Sequence, residues 1–213
     1  MPSVNTRVFF SKTGRAKYIS HLDLSGVMQR AIRKTKLPVW YTEGYNPRMY
    51  TQFMLPLSLG QEGLREAMDF RLLDENIPHE QVTERINGAL PLDIRIIETT
   101  APIRRNTDIA SAEYEITAEI DREKFLKFTQ SEKIITEKKT KKGITEIDLK
   151  PHILSLDVSD EREQITVRLP AGNDFNINPQ LLLDTFKRQC DEEIPKQRIV
   201  RTKIFCSDGS EFR

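Results

Sequence analysis

One order of hydrophobic periods occurs twice in this chain of 213 residues, and it restricts the fold more than any single motif does. The first half has a strand pattern at 6–11, a helix pattern at 21–35, and strand patterns at 39–41, 49–57 and 66–73. A helix at 79–90 and a strand at 93–99 follow. In the third strand region Met68, Phe70 and Leu72 alternate with Asp69 and Arg71, the period of a strand with one buried face. Pro78 and the spacing Val82, Ile86, Leu90 mark the second helix. After a polar stretch the order returns. Tyr114, Ile116, Ala118 and Ile120 face one way, and helices are expected at 122–130 and 179–190, with strands near 153–158, 164–169 and 198–206. A split β-α-β unit of this kind closes an antiparallel sheet with both helices on one face. The sequence therefore predicts an α+β fold of two tandem ferredoxin-like (βαββαβ) domains, residues 1–104 and 111–213, the second with an inserted hairpin around Gly143.

A composition of 38% hydrophobic and 31% charged residues suits a folded chain that needs no staples. No apolar run approaches the roughly 20 residues of a membrane span, and the opening residues lack the apolar centre of a secretory signal. A cytoplasmic protein without a membrane partner is expected. Cys190 and Cys206 lie in apolar surroundings and read as reduced thiols. With His21, His79 and His152 they show no ligand spacing, so neither a metal nor a cofactor is expected.

The net charge of +1 hides an uneven distribution. Residues 7–50 hold nine bases (Arg7, Lys12, Arg15, Lys17, Arg30, Arg33, Lys34, Lys36, Arg48) against two acids, Asp23 and Glu43. Clustered bases concentrate anions such as phosphate. A second group, Lys138, Lys139, Lys141 and Lys142, flanks Gly143 and reads as the solvated tip of a hairpin.

Within the basic region, YISHLDLSGVMQRAIRK opens a helix. Ser20 followed by Asp23 approximates a capping box. Leu24, Val27, Met28, Ala31, Ile32 and Thr35 share one face, Arg30, Arg33 and Lys34 the opposite one, and His21 falls at the apolar edge, where packing is its ordinary role. Further on, Gly44-Tyr45-Asn46-Pro47 forms a turn with Arg48 just beyond. The segments ISHLDL, Gln29-Arg30-Ala31 with Leu37-Pro38, Glu43-Gly44-Tyr45-Asn46-Pro47 and PLSLG together resemble the radical-SAM-associated family of unknown function, whose pattern also has an acidic pair like Glu66 and Asp69. In that family the domain occurs alone or fused behind a cobalamin-binding radical-SAM enzyme, and its genes often neighbour those of ribosomal proteins and ribonucleases. The resemblance implies a separately encoded radical-SAM partner and hints at RNA. The chain has no cysteine triad for an iron–sulfur cluster, so radical chemistry is not its own.

The resulting expectation is a non-catalytic accessory or substrate-binding module for RNA, with Lys17, His21, Arg30, Arg33, Lys34, Tyr45, Asn46, Arg48, Glu66 and Asp69 as candidate contacts. Arginines and lysines would meet phosphates, Tyr45 would stack on a base and Asn46 would hydrogen-bond to one. Packing of Tyr45 on the sheet is the other reading of that residue. Two alternatives stand beside the module: a metal-independent RNA endonuclease using His21 as general acid or base, and a protein–protein adaptor.

Overall fold

The structure, a computed structural model, describes residues 3–140, 143–159, 164–172 and 175–213, with the backbone alone at 139 and 140. Lys141 and Lys142 of the lysine group lie outside the described residues. The chain divides into two compact units, residues 1–108 with 211–213, and residues 109–210. The fold is α+β, and all described strand pairs are antiparallel.

The first unit runs β1 (Val4–Lys12), α1 (His21–Lys34), β2 (Thr51–Phe53), β3 (Glu62–Leu72), α2 (His79–Asn87) and β4 (Ile94–Thr100). Its sheet order is β4-β1-β3-β2. Alternation along β1 and β3 sends Val8, Phe10, Met68 and Phe70 to one face, where Leu24, Met28, Ala31 and Ile32 of α1 and Val82 and Ile86 of α2 close the core. Arg7, Phe9, Ala67 and Asp69 take the other face, with Arg7 opposite Asp69 and Gln52 of β2 on the far side of Asp69.

Helix α1 begins where the sequence places it. The Ser20 hydroxyl oxygen accepts the Asp23 amide at 3.1 Å and donates to the Asp23 carboxylate at 2.7 Å. Helix α2 is shorter than its apolar spacing suggested. It ends at Asn87, whose side-chain amide donates to the Ile96 carbonyl and accepts from the Ile96 amide, at 2.9 and 2.8 Å, fastening the helix end to β4. The strand expected over 49–57 contracts to Thr51–Phe53, because Pro47 and Pro56 bracket it and proline offers no amide to a ladder. Val39 and Tyr41 contribute isolated bridges, to Leu72 and Met49.

The second unit runs β5 (Ile109–Ala118), α3 (Arg122–Gln130), β6 (Ile135–Thr140), β7 (Gly143–Asp148), β8 (Ser155–Val158), β9 (Gln164–Pro170), α4 (Pro179–Cys190) and β10 (Gln197–Cys206). With the β6–β7 hairpin set aside as a separate two-stranded sheet, the order is β10-β5-β9-β8, the same connectivity as in the first unit. Phe125, Phe128 and Phe186 pack as a ring trio between α3 and α4, with centroids 5.1–6.0 Å apart. Both cysteines are free thiols, Cys206 buried and Cys190 half-buried.

Candidate nucleic-acid interface

The sheet separates the candidate residues of the first unit into three places. At the start of α1, His21 is exposed and rests its ring edge-to-face on Phe53 of β2, with centroids 4.9 Å apart, and Phe53 in turn packs on Phe10. Glu66 lies opposite Phe10 on the helix-bearing face and is buried beneath the same region. With it are the buried Glu62 and Lys12, whose ammonium donates to the Ile19 carbonyl at 3.2 Å. Lys17 sits 3.6 Å from the Glu62 carboxylate. This group fastens the 3-10 turn Gly14–Tyr18 to the sheet, so Glu66 and Lys17 read as structural. Glu66 and Asp69, paired in the sequence pattern, are three residues apart on one strand and therefore face opposite sides of the sheet.

The second place is the edge strand β2. Arg33 donates to the Gln29 carbonyl at 3.2 Å and to its side-chain oxygen at 3.3 Å, while the Gln29 amide donates to the Thr51 hydroxyl at 3.0 Å. The polar side of α1, with Arg30, Arg33 and Lys34 exposed, thus borders β2. The chain enters β2 through the turn at 42–48, which is closed by the Thr42 amide on the Arg48 carbonyl at 2.8 Å and by the Arg48 amide on the Thr42 hydroxyl at 2.9 Å. Gly44 takes φ +122°, a conformation side chains rarely adopt. Tyr45 at the tip is 100% exposed, and Asn46 and Arg48 beside it are exposed as well. Its ring is not packed on the sheet.

The third place holds one of the candidates, Asp69. On the helix-free face Arg7, Asp69 and Gln52 form a row across β1, β3 and β2. Arg7 is 1% exposed and grips Asp69 with a two-pronged contact, Nε to Oδ1 at 2.7 Å and Nη2 to Oδ2 at 2.9 Å. The Met54 sulfur at 3.3 Å, the Arg213 carbonyl at 3.4 Å and the Phe212 ring at 4.7 Å surround the rest of the guanidinium. The neighbouring row holds Arg71, whose guanidinium lies 5.0 Å from the Trp40 ring centre and 4.6 Å from that of Tyr50, and donates to Asn5 at 3.1 Å. Trp40 and Tyr50 flank the exposed turn, and the Tyr50 hydroxyl donates to Gln52 Oε1 at 2.6 Å. Asn5, Arg7, Tyr50, Gln52, Met54 and Asp69 line a cavity of about 520 Å³, bounded on its other side by residues 102–107.

The composite is a basic helix edge, an exposed aromatic turn and a polar cavity, all meeting at β2. Arg7 and Lys12, counted among the nine bases, are interior. The surface charge therefore rests on Arg15, Arg30, Arg33, Lys34, Lys36 and Arg48, which are exposed. Asp69 was a candidate in the sequence, whereas Trp40, Tyr50, Gln52 and Arg71 escaped the sequence reading. The alternation of Asp69 and Arg71 with apolar residues was the available signal, since it put two charges on a face that an ordinary core would leave to solvent. Among the described residues no group of His, Cys, Asp and Glu is placed to hold a metal ion, and no helix is long and apolar enough to cross a membrane.

Residues 5–179 match the family described as "Uncharacterized protein conserved in bacteria (DUF2344)", and the chain belongs to that family. Comparison with curated proteins gives no match.

Proposed function

Starting from a family with no assigned activity, we propose that the chain is a non-catalytic, cytoplasmic accessory protein whose first unit holds single-stranded RNA along the β2 edge. One observation carries the reading. An aromatic ring fully exposed at the tip of a hydrogen-bonded turn adds nothing to folding, whereas it provides a stacking platform for a base. Asn46 stands next to it as a base-edge partner, and Arg30, Arg33, Lys34 and Arg48 supply phosphate contacts without contributing to the core. The orders β4-β1-β3-β2 and β10-β5-β9-β8 support reading both units as ferredoxin-like, with boundaries close to residues 1–104 and 111–213. The motif resemblance supports a separately encoded radical-SAM enzyme as the recipient of the bound RNA.

The test is binding of a labelled short single-stranded RNA to the full chain over a range of salt. Affinity falls with a log–log slope of about −0.7 per phosphate contacted, and reversing Arg30, Arg33 and Arg48 to glutamate flattens that slope. Tyr45→Ala weakens binding about tenfold. Absence of RNA binding at low salt overturns the proposal. A salt-insensitive complex with a radical-SAM protein would then identify an adaptor, and RNA cleavage abolished by His21→Ala would identify an enzyme.

A further inference from the structure

We infer that the cavity on the helix-free face of the first unit binds a terminal phosphate group carried by a small ligand. The inference is separate from the RNA reading, which concerns the β2 edge. A volume of about 520 Å³ lies within the range typical of small-molecule sites and leaves room for the body that carries the phosphate.

The ligand class follows from counting donors and acceptors on the lining. Three arginines, Arg7, Arg104 and Arg105, face one acid, Asp69, an excess of two positive charges. Asp69 has both oxygens held by Arg7 at 2.7 and 2.9 Å, so that pair adds no net charge and little acceptor capacity. Arg105 is exposed on the segment that bounds the cavity. Asp108, on the same segment, accepts the Arg105 backbone amide at 2.8 Å and does not line the cavity. The neutral amides add donors. Asn5 Oδ1 accepts from Arg71 Nε at 3.1 Å, and Gln52 Oε1 accepts from the Tyr50 hydroxyl at 2.6 Å. With each oxygen engaged, what these two side chains chiefly have left to offer is an NH₂ group. The cavity is therefore rich in donors, cationic and poor in acceptors. An ionised phosphate is the complementary group, since its oxygens only accept and its charge is opposite. A cationic ligand would meet like charge, and a neutral polyol would bring hydroxyl donors for which the lining has few acceptors. A carboxylate offers two oxygens in one plane. The three terminal oxygens of a phosphate spread in space, so one group reaches both the guanidinium on the bounding segment and the amides on the sheet.

The experiment titrates inorganic diphosphate into the full chain at constant ionic strength, followed by calorimetry and by the side-chain amide resonances of Asn5 and Gln52. Saturable binding is expected, with both resonances shifting along the same isotherm. Arg105→Ala is expected to weaken it about tenfold, the scale of one charge-assisted hydrogen bond. Reversing Arg30, Arg33 and Arg48 to glutamate should leave it in place. If those reversals abolish binding and Arg105→Ala does not, the ion sits on the β2 edge and the pocket is refuted. Shifts that do not saturate, or that succinate reproduces at the same concentrations, overturn it as well. Displacement of diphosphate by a 5′-phosphorylated oligouridine, and not by the same oligomer without its phosphate, would move the phosphate from a small ligand to an RNA end and overturn that part of the assignment. The resonance shifts are read on the unmodified protein, so they do not depend on a variant folding.

Discussion

Replacing Asp69 with leucine tests whether the Arg7–Asp69 pair is an interior element of the first unit. The Arg7 side chain is 1% exposed and that of Asp69 14%. Loss of the carboxylate leaves the guanidinium with the Met54 sulfur, the Arg213 backbone oxygen and the Phe212 ring. Removing one partner of a buried pair costs about 3–5 kcal/mol, and the partial exposure of Asp69 sets the expectation near the lower figure. Arg7→Met costs less, since the cavity lets water reach the stranded carboxylate. The double variant Arg7→Met/Asp69→Leu replaces both charges by apolar groups of similar volume, a change that is commonly neutral or stabilising relative to the pair. It is therefore expected to be more stable than Asp69→Leu alone, by about 2 kcal/mol or more. Trp40 is the only tryptophan and lies in this unit against Arg71, so its fluorescence reports the unit directly. With a urea dependence of about 1–3 kcal/mol per molar, Asp69→Leu should lower the midpoint by ~1–3 M. A midpoint within ~0.3 M of the parent, or a double variant less stable than Asp69→Leu, would refute the reasoning.

Two further outcomes follow from local geometry. Ser20→Ala removes the cap on the Asp23 amide and should cost about 1 kcal/mol in the same urea assay, with RNA affinity unchanged, because Ser20 faces its own helix. The Asp148 carboxyl is held below the ordinary aspartate range by the amides of Ile134 and Lys150, which donate to one of its oxygens at 2.8 and 3.0 Å. Its folded value is lower than its unfolded one, so its contribution is complete above about pH 4 and is lost as pH falls through the depressed value. A carboxyl-carbon NMR titration should show Asp148 titrating below the exposed aspartates. Asp148→Ala should remove its share of the acid sensitivity, and a titration in the ordinary range would contradict the assignment.

Local signals carried most of the element order, because each such signal involves residues a few positions apart. The cap at Ser20 and the apolar spacing of Leu24, Met28, Ala31 and Ile32 place α1 to within a residue. Asp121 caps α3 and Asn178 caps α4 in the same way. The misjudged ends depended on distant partners. Helix α2 stops at Asn87 because that side chain has Ile96 to bond, and Glu62–Leu72 extends four residues upstream of its alternating core because β1 continues to pair with it as far as Gly63.

Charge was the least legible property, because a residue count cannot distinguish a base that faces water from one that faces an acid across a sheet. Arg7 belongs to the alternating set on β1 that leaves the helix-packed face, and a composition argument assigns it to the surface. Pairing in register with Asp69 puts it inside. The same register puts Asp69 in the floor of a cavity on the helix-free face and Glu66, buried, on the helix-bearing face. What the sequence grouped as one set of candidate contacts is thus divided between the two faces of a sheet. One part is the exposed cationic edge of Arg30, Arg33 and Lys34. The other is the row of Arg7, Asp69 and Gln52, in which the two charges neutralise each other, and β2 is the element that joins them, since Thr51 bonds the helix edge while Gln52 enters the cavity row.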